Sequence, residues 1–125
     1  MSEKHKEIVA KADAAFAEGS VEGFLSLCAE DVEWTMVGVH IGKGKDAIRK
    51  WLASMNSKPP KFTSSNIIAE GNFATSYGDM TMTEKDGKVV PYSYCDIYRF
   101  RDGKIVDLRS FVIKTEVMRK TNSGT

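Results

Sequence analysis

The sequence predicts an α+β fold, with three N-terminal helices enclosing a pocket against a cone-shaped, strongly curved antiparallel sheet. Three observations carry this. Apolar residues recur at three- and four-residue spacing as far as about Met55. After Pro59-Pro60 the period becomes two and continues to about Lys114. The turn signals Glu70-Gly71-Asn72, Asp86-Gly87 and Asp102-Gly103 divide that second half into four strands. Helices followed by a meander give the α+β order. A bent sheet closed by helices leaves an interior cavity, a common form of small-molecule site.

Each element has its own pattern. Ile8, Ala12, Ala15 and Phe16 form one stripe of a helix over 3–18, with Gly19 as its stop and His5 expected at the surface. Ser20 caps a second helix through Cys28, with Val21, Phe24, Leu25 and Cys28 as its buried face. VEWTMV at 32–37 predicts a short strand, and the glycine-punctuated GVHIGKG predicts a loop holding His40. Ile48, Trp51, Leu52 and Met55 stand at i, i+3, i+4 and i+7 on a helix over 45–55, which Lys58-Pro59-Pro60-Lys61 ends. Strands follow at 62–70, 72–83, 88–100 and 104–114, and 115–125 reads as a frayed tail.

The chain of 125 residues forms one domain over 1–125. Eighteen Lys and Arg against 17 Asp and Glu give a net charge of +1, and the lysines are scattered. That balance leaves no footprint for nucleic acid or an anionic membrane. The two cysteines, Cys28 and Cys95, form neither a disulfide framework nor a zinc pattern, and both read as small buried hydrophobes. The N-terminus lacks the apolar stretch of a signal peptide, and no apolar run approaches the ~20 residues of a membrane span. The expected compartment is the cytoplasm. No metal or organic cofactor is implied.

The chemistry centres on residues 92–113. Tyr92, Tyr94, Asp96, Tyr98 and Phe100 share one strand face, so a single carboxylate sits in an aromatic row. An inward Asp96 would be desolvated and hold its proton to higher pH, as an acid or a carbonyl hydrogen-bond donor. The competing reading is a strut hydrogen-bonded to its tyrosines. A tight turn at Asp102-Gly103 would oppose Asp96 to Arg109 as an ion pair. The apolar set Val106, Leu108, Ser110 and Val112 instead predicts a three-residue bulged loop, with Asp96 facing Leu108 and Ser110 nearby. Arg109 then joins Cys95, Ile97, Arg99 and Phe111 on the outer face. That part-apolar, part-charged face suits a two-fold interface, so a homodimer is expected.

Three segments carry a family resemblance: FAEGSVEGFLSLCAEDVEW, GVHIGKGKDAIRKWL and DIYRFRDGKIVDLRSF. Together they resemble the nuclear-transport-factor-2-like superfamily, in its SnoaL-like and ketosteroid-isomerase-like branch, over roughly residues 5–115. The resemblance implies the fold more than the function, because the superfamily spans isomerases, dehydratases, cyclases, epoxide hydrolases and non-catalytic binders. Asp96 matches the oxyanion-hole Asp of the ketosteroid isomerases, while Thr35 occupies their base position and their Tyr falls near Ala12. Asp79 matches one Asp of the limonene-epoxide-hydrolase set, whose Arg and second Asp positions hold Tyr77 and Ser110. Neither catalytic set is complete.

The candidate catalytic residues are therefore Asp96, His40 and Asp79. His40 borders the cavity mouth in this fold and could supply the base that Thr35 cannot, or be an exposed loop histidine. Asp79 shares a strand face with Tyr77, and the methionines Met80 and Met82 share the other. Pattern leaves the inward face open, and the resemblance turns Asp79 inward. Trp34, Met36, Trp51, Met55, Tyr77, Tyr94, Leu108 and Ser110 are the expected ligand-binding residues, several of which would serve equally as plain core. The expected ligand is a hydrophobic small molecule. The readings are a proton-transfer enzyme (isomerase, cyclase or dehydratase), a non-catalytic binder, or a dimeric scaffold with a vestigial pocket.

Overall fold

The structure, a computed structural model, describes residues 2–55 and 58–115. The part of the expected tail from 116 onward lies outside them. Helical periodicity becomes α1 (Ser2–Glu18), α2 (Val21–Leu25) and α3 (Lys45–Met55). Strands are β1 (Cys28–Met36), β2 (His40–Lys43), β3 (Lys61–Glu70), β4 (Phe73–Thr83), β5 (Val89–Arg101) and β6 (Lys104–Lys114). They form one curved, open sheet in the order β2-β1-β6-β5-β4-β3. Neighbours are antiparallel except β1 on β6, so the expected antiparallel sheet carries one parallel pair. Helix α1 packs on β3 and β4, and α3 packs on β1 and β2. The three helices thus cover the concave face.

Three local expectations are corrected. Cys28 opens β1 rather than closing α2, because α2 ends in a tight turn in which Leu27 N donates to Phe24 O at 3.0 Å. The expected loop around His40 is a strand, since β2 folds back to satisfy the β1 edge, pairing Met36 with His40 and Glu33 with Lys43. His5 is buried rather than on the surface. It stacks on Phe100 at 4.1 Å, and its Nδ1 lies 2.9 Å from Gly71 O. The reason is that the buried stripe of α1 runs one turn further, through His5, Val9, Ala12 and Ala15.

The β5–β6 hairpin decides what flanks Asp96. Its turn is the tight two-residue form, flanked by Arg101 and Lys104, with Asp102 and Gly103 both at positive φ (51° and 76°). Asp tolerates the left-handed region better than most residues, so no third loop residue is needed. The extra residue lies in the strand instead. Phe100 pairs with Ile105 and Arg99 with Asp107, which leaves Val106 as a bulge. The bulge buries both Ile105 and Val106. Past it, Tyr98 pairs with Leu108 and Asp96 with Ser110. Asp96 therefore faces Ser110, not Leu108, although the inward face of both strands is the expected one.

The β4–β5 ladder settles the other open parity. Ser76, Gly78 and Met80 stand opposite Asp96, Tyr94 and Tyr92, and so turn inward with them. Tyr77 and Asp79 point out of the convex face, where both are exposed. The methionines occupy the concave side because apolar burial there outweighs any gain from placing a carboxylate in it.

Candidate functional site

The concave face holds a cavity of about 430 Å³, within the range of small-molecule sites. Trp34 and Met36 of β1, Trp51, Leu52 and Met55 of α3, and Phe16 of α1 form one side. Phe62 of β3, Met80 and Met82 of β4, and Tyr92 and Tyr94 of β5 form the other. Asp96 and Ser110 supply polar groups, Val112 extends the β6 wall, and Lys58, Pro59 and Pro60 also line the cavity. Aromatic edges lock one wall: Trp34 meets Phe16 at 5.5 Å, Phe24 at 5.3 Å and Trp51 edge-on at 5.3 Å. On the opposite wall Tyr94 holds Phe62 edge-on at 5.2 Å.

Asp96 is 8% exposed. Burial pushes its pKa from the ordinary 3.8 up to about 7. A hydrogen bond from Ser110 pulls it down, and the charge of Asp13 pushes it further up. Trp34 Nε1–H donates to Ser110 Oγ at 2.9 Å. The serine hydroxyl thus accepts from the indole and has its own proton to give the carboxylate. Residues from β1, β6 and β5 form one directed chain ending on Asp96.

Of the expected site residues, Trp34, Met36, Trp51, Met55, Tyr94, Asp96 and Ser110 meet around this cavity. Leu108 is fully buried in the core opposite Tyr98, displaced from Asp96 by the bulge. Tyr77 and Asp79 lie on the other side of the sheet. There Asp79 accepts from Ser93 Oγ at 2.8 Å and Ser64 Oγ at 3.3 Å, an ordinary surface network. His40 stacks on Trp51 at 4.6 Å and is not among the cavity-lining side chains.

One carboxyl whose charge acts on Asp96, outside the cavity lining, is absent from the residues expected from the sequence. Asp13 of α1 is half-buried beneath the sheet, and its carboxyl is raised by burial and pulled back by hydrogen bonds from Ser76 and Ser65. Its signal was present: an Asp beside Ala12 on the buried stripe, within the run ADAAF. Phe62, Met80, Met82, Tyr92 and Val112 were also not singled out as walls. Among the described residues no group of three or more His, Cys, Asp or Glu converges as a metal site would. No helix among them is long and apolar enough to cross a membrane.

Tyr98 is fully buried, and its hydroxyl meets no hydrogen-bond partner among the described residues. An unpaired buried hydroxyl costs about 1–3 kcal/mol. Tyr98→Phe is therefore expected to raise stability by about 1 kcal/mol, measured by urea unfolding. A loss of stability would mean the hydroxyl is paired.

Residues 9–108 match the SnoaL-like domain. The chain belongs to the SnoaL-like family. Its fold is shared by solved structures along almost its whole length. An NTF2-like protein from Burkholderia xenovorans LB400 is 21% identical over 98% of each chain, with a TM-score of 0.78. A proposed polyketide cyclase from Xanthomonas campestris pv. campestris is 19% identical over 88% of this chain and 90% of its own, with a TM-score of 0.79. TerC, co-crystallised with polyporic acid, is 21% identical over 91% of this chain and 94% of its own, with a TM-score of 0.75. At these identities the likeness shows the fold. No curated protein matches the chain. The SnoaL-like assignment agrees with an open α+β sheet that cups a cavity.

Proposed function

We propose that this SnoaL-like protein binds a hydrophobic carbonyl compound and moves a proton on it through Asp96. The observation that carries the reading is a buried carboxyl, titrating near neutrality, in the wall of an apolar cavity. A group with a pKa near the working pH exchanges protons best in both directions. In its charged form Asp96 takes a proton from the carbon next to the carbonyl, leaving an enolate. The same carboxyl, now protonated, returns that proton to carbon or to oxygen. Tyr94 borders the same cavity as a second hydroxyl. Such a step underlies double-bond isomerisation and aldol-type ring closure. The TerC complex and the proposed polyketide cyclase among the neighbours support an extended unsaturated ligand of this general kind.

The test is deuterium exchange. A panel of hydrophobic ketones in D₂O is expected to gain deuterium beside the carbonyl in the presence of the protein. Asp96→Asn is expected to slow that exchange at least hundredfold while ligands still bind by calorimetry. Equal exchange by the two proteins would overturn the reading.

A second reading, binding without turnover, has one observation in its favour. Asp79 and His40, the expected base candidates, lie outside the cavity wall. Tight binding with no exchange by the unmodified protein would select it. We further propose a homodimer through the convex face, where Tyr77, Ile97, Phe111 and Ile113 alternate with Asp107, Arg99 and Arg109. Mixed charge within an apolar patch suits a self-complementary interface. Sedimentation is expected to give a dimer, reduced to a monomer by Arg109→Glu.

A further inference from the structure

Two carboxylates lie near one another beneath the sheet, and one has an oxygen without a donor. Asp13 Oδ2 accepts from Ser76 Oγ at 2.8 Å and from Ser65 Oγ at 3.5 Å. Its Oδ1 is buried and meets no partner among the described residues. Ser76 stands directly opposite Asp96 in the β4–β5 ladder, where facing Cβ atoms are about 5 Å apart. Ser110 stands opposite Asp96 on the other side. The row Ser76–Asp96–Ser110 therefore crosses three strands with its hydroxyls unequally committed. A hydroxyl has one proton to donate. Ser76 gives its proton to Asp13, while Ser110 supports Asp96.

We propose that Asp13 is a positioning residue of this site: its ionised carboxylate, held by Ser76 and Ser65, adds to burial in favouring the protonated form of Asp96 near neutral pH. The proposal rests on the reading of Asp96 as the proton carrier and names what sets its charge. Asp13 has two hydroxyl donors and the more open position, so it ionises first. Its charge then makes a second charge beside it costly. The groups facing Asp96 are Asp13 from α1, Ser76 from β4, Tyr94 and Tyr98 from β5, and Ser110 from β6, with Trp34 of β1 acting through Ser110. The phenol of Tyr98, held well above its ordinary value by burial, stays uncharged near neutrality. Two interacting carboxyls titrate as a unit, in separated steps. With the Asp13 charge in place, both forms of Asp96 are present near neutral pH, the charged form to take a proton and the protonated form to return it. Without it, Asp96 would ionise at lower pH and hold the proton less readily.

Carbon-13 NMR titration of the aspartate carboxyl groups tests this. In Asp13→Asn the Asp96 midpoint is expected to fall by about one pH unit. Asp96→Asn is expected to leave the Asp13 midpoint nearly where it was, because Asp13 ionises while Asp96 is still neutral. A folded Asp13→Asn protein with an unmoved Asp96 midpoint overturns the proposal. Should that variant not fold, the unmodified protein decides: Asp13 must ionise first and its signal must move again at the Asp96 midpoint. The reverse order, or two independent curves, overturns the proposal. The titration reads charge and not turnover, so an unmoved midpoint removes the role of Asp13 and leaves the exchange test of Asp96 standing.

Discussion

Asp96→Asn is expected to stabilise the folded protein at pH 8 by up to about 4 kcal/mol, and by less than about 1 kcal/mol at pH 4. Burial raises the Asp96 pKa from 3.8 to about 7. Below pH 4 the carboxyl is protonated in both the folded and the unfolded chain, and it contributes no pH dependence. Between pH 4 and 7 the unfolded chain releases the proton while the folded chain keeps it, so the folded state loses ground as pH rises. Above pH 7 both are ionised and the loss is complete. The amide has nearly the same shape and no charge to desolvate. Its advantage should therefore grow through that window and then level off. For a chain of this size the gain at pH 8 corresponds to a rise in Tm on the order of 10 °C. Thermal unfolding of both proteins at several pH values measures it. A difference that stays constant from pH 4 to 8 would show that Asp96 carries no buried-charge cost. A carboxyl that weakens its own fold at neutral pH, in a cavity wall, is best explained by what it does there.

Gly78→Ala is expected to cost about 3 kcal/mol, a large effect for one methyl group. Gly78 lies in β4 opposite Ser65 of β3 and Tyr94 of β5. A Cβ there would come within 2.8 Å of the Ser64 carbonyl carbon, and closer still to its oxygen. Both are backbone atoms next to the register shift between Phe62 and Ser64, so no side chain can turn aside. Strand β3 would have to move, taking with it Phe62 and the Ser64 carbonyl that lies 3.4 Å from the Tyr94 hydroxyl. The cavity wall should therefore loosen along with the fold. Unfolding in urea gives the stability change, and calorimetry gives the accompanying loss of ligand affinity. Gly71→Ala is the control. Its Cβ meets open space, so only the positive φ of 59° costs energy, about 1 kcal/mol. Equal effects at the two positions would place the Gly78 cost in its backbone freedom and not in the contact with β3.

The helices and the four long strands were legible because burial imposes periods of 3.6 and 2 on the residues themselves. Residues 45–55 and 104–114 match the structure at both ends. What was not legible depended on choices between near-equal local options. The β5–β6 hairpin could place its extra residue in the turn or in the strand, and the apolar alternation of Leu108, Ser110 and Val112 is satisfied by either. The choice of Val106 moved the neighbour of Asp96 by two residues and kept the face. The face of β4 needed its pairing with β5, since Asp79 and Met80 each offered a plausible inward side. Strand β2 is four residues in a glycine-rich stretch, too short for alternation to declare itself. Asp13 was not legible because a charged residue next to a buried stripe ordinarily turns to water. Ser76 and Ser65, brought across from β4 and β3, give it a reason to stay.

Trp34 and Trp51 touch edge to face on one wall of the cavity, and they are the two tryptophans of the chain. All of its tryptophan fluorescence therefore arises at the surface a ligand would cover. A molecule entering between them and Tyr94 must change the polarity around both indoles or quench them directly, with no distant emitter to dilute the signal. The protein is thus its own label-free reporter. A library of unsaturated compounds can be ranked by quenching alone, before any reaction is known.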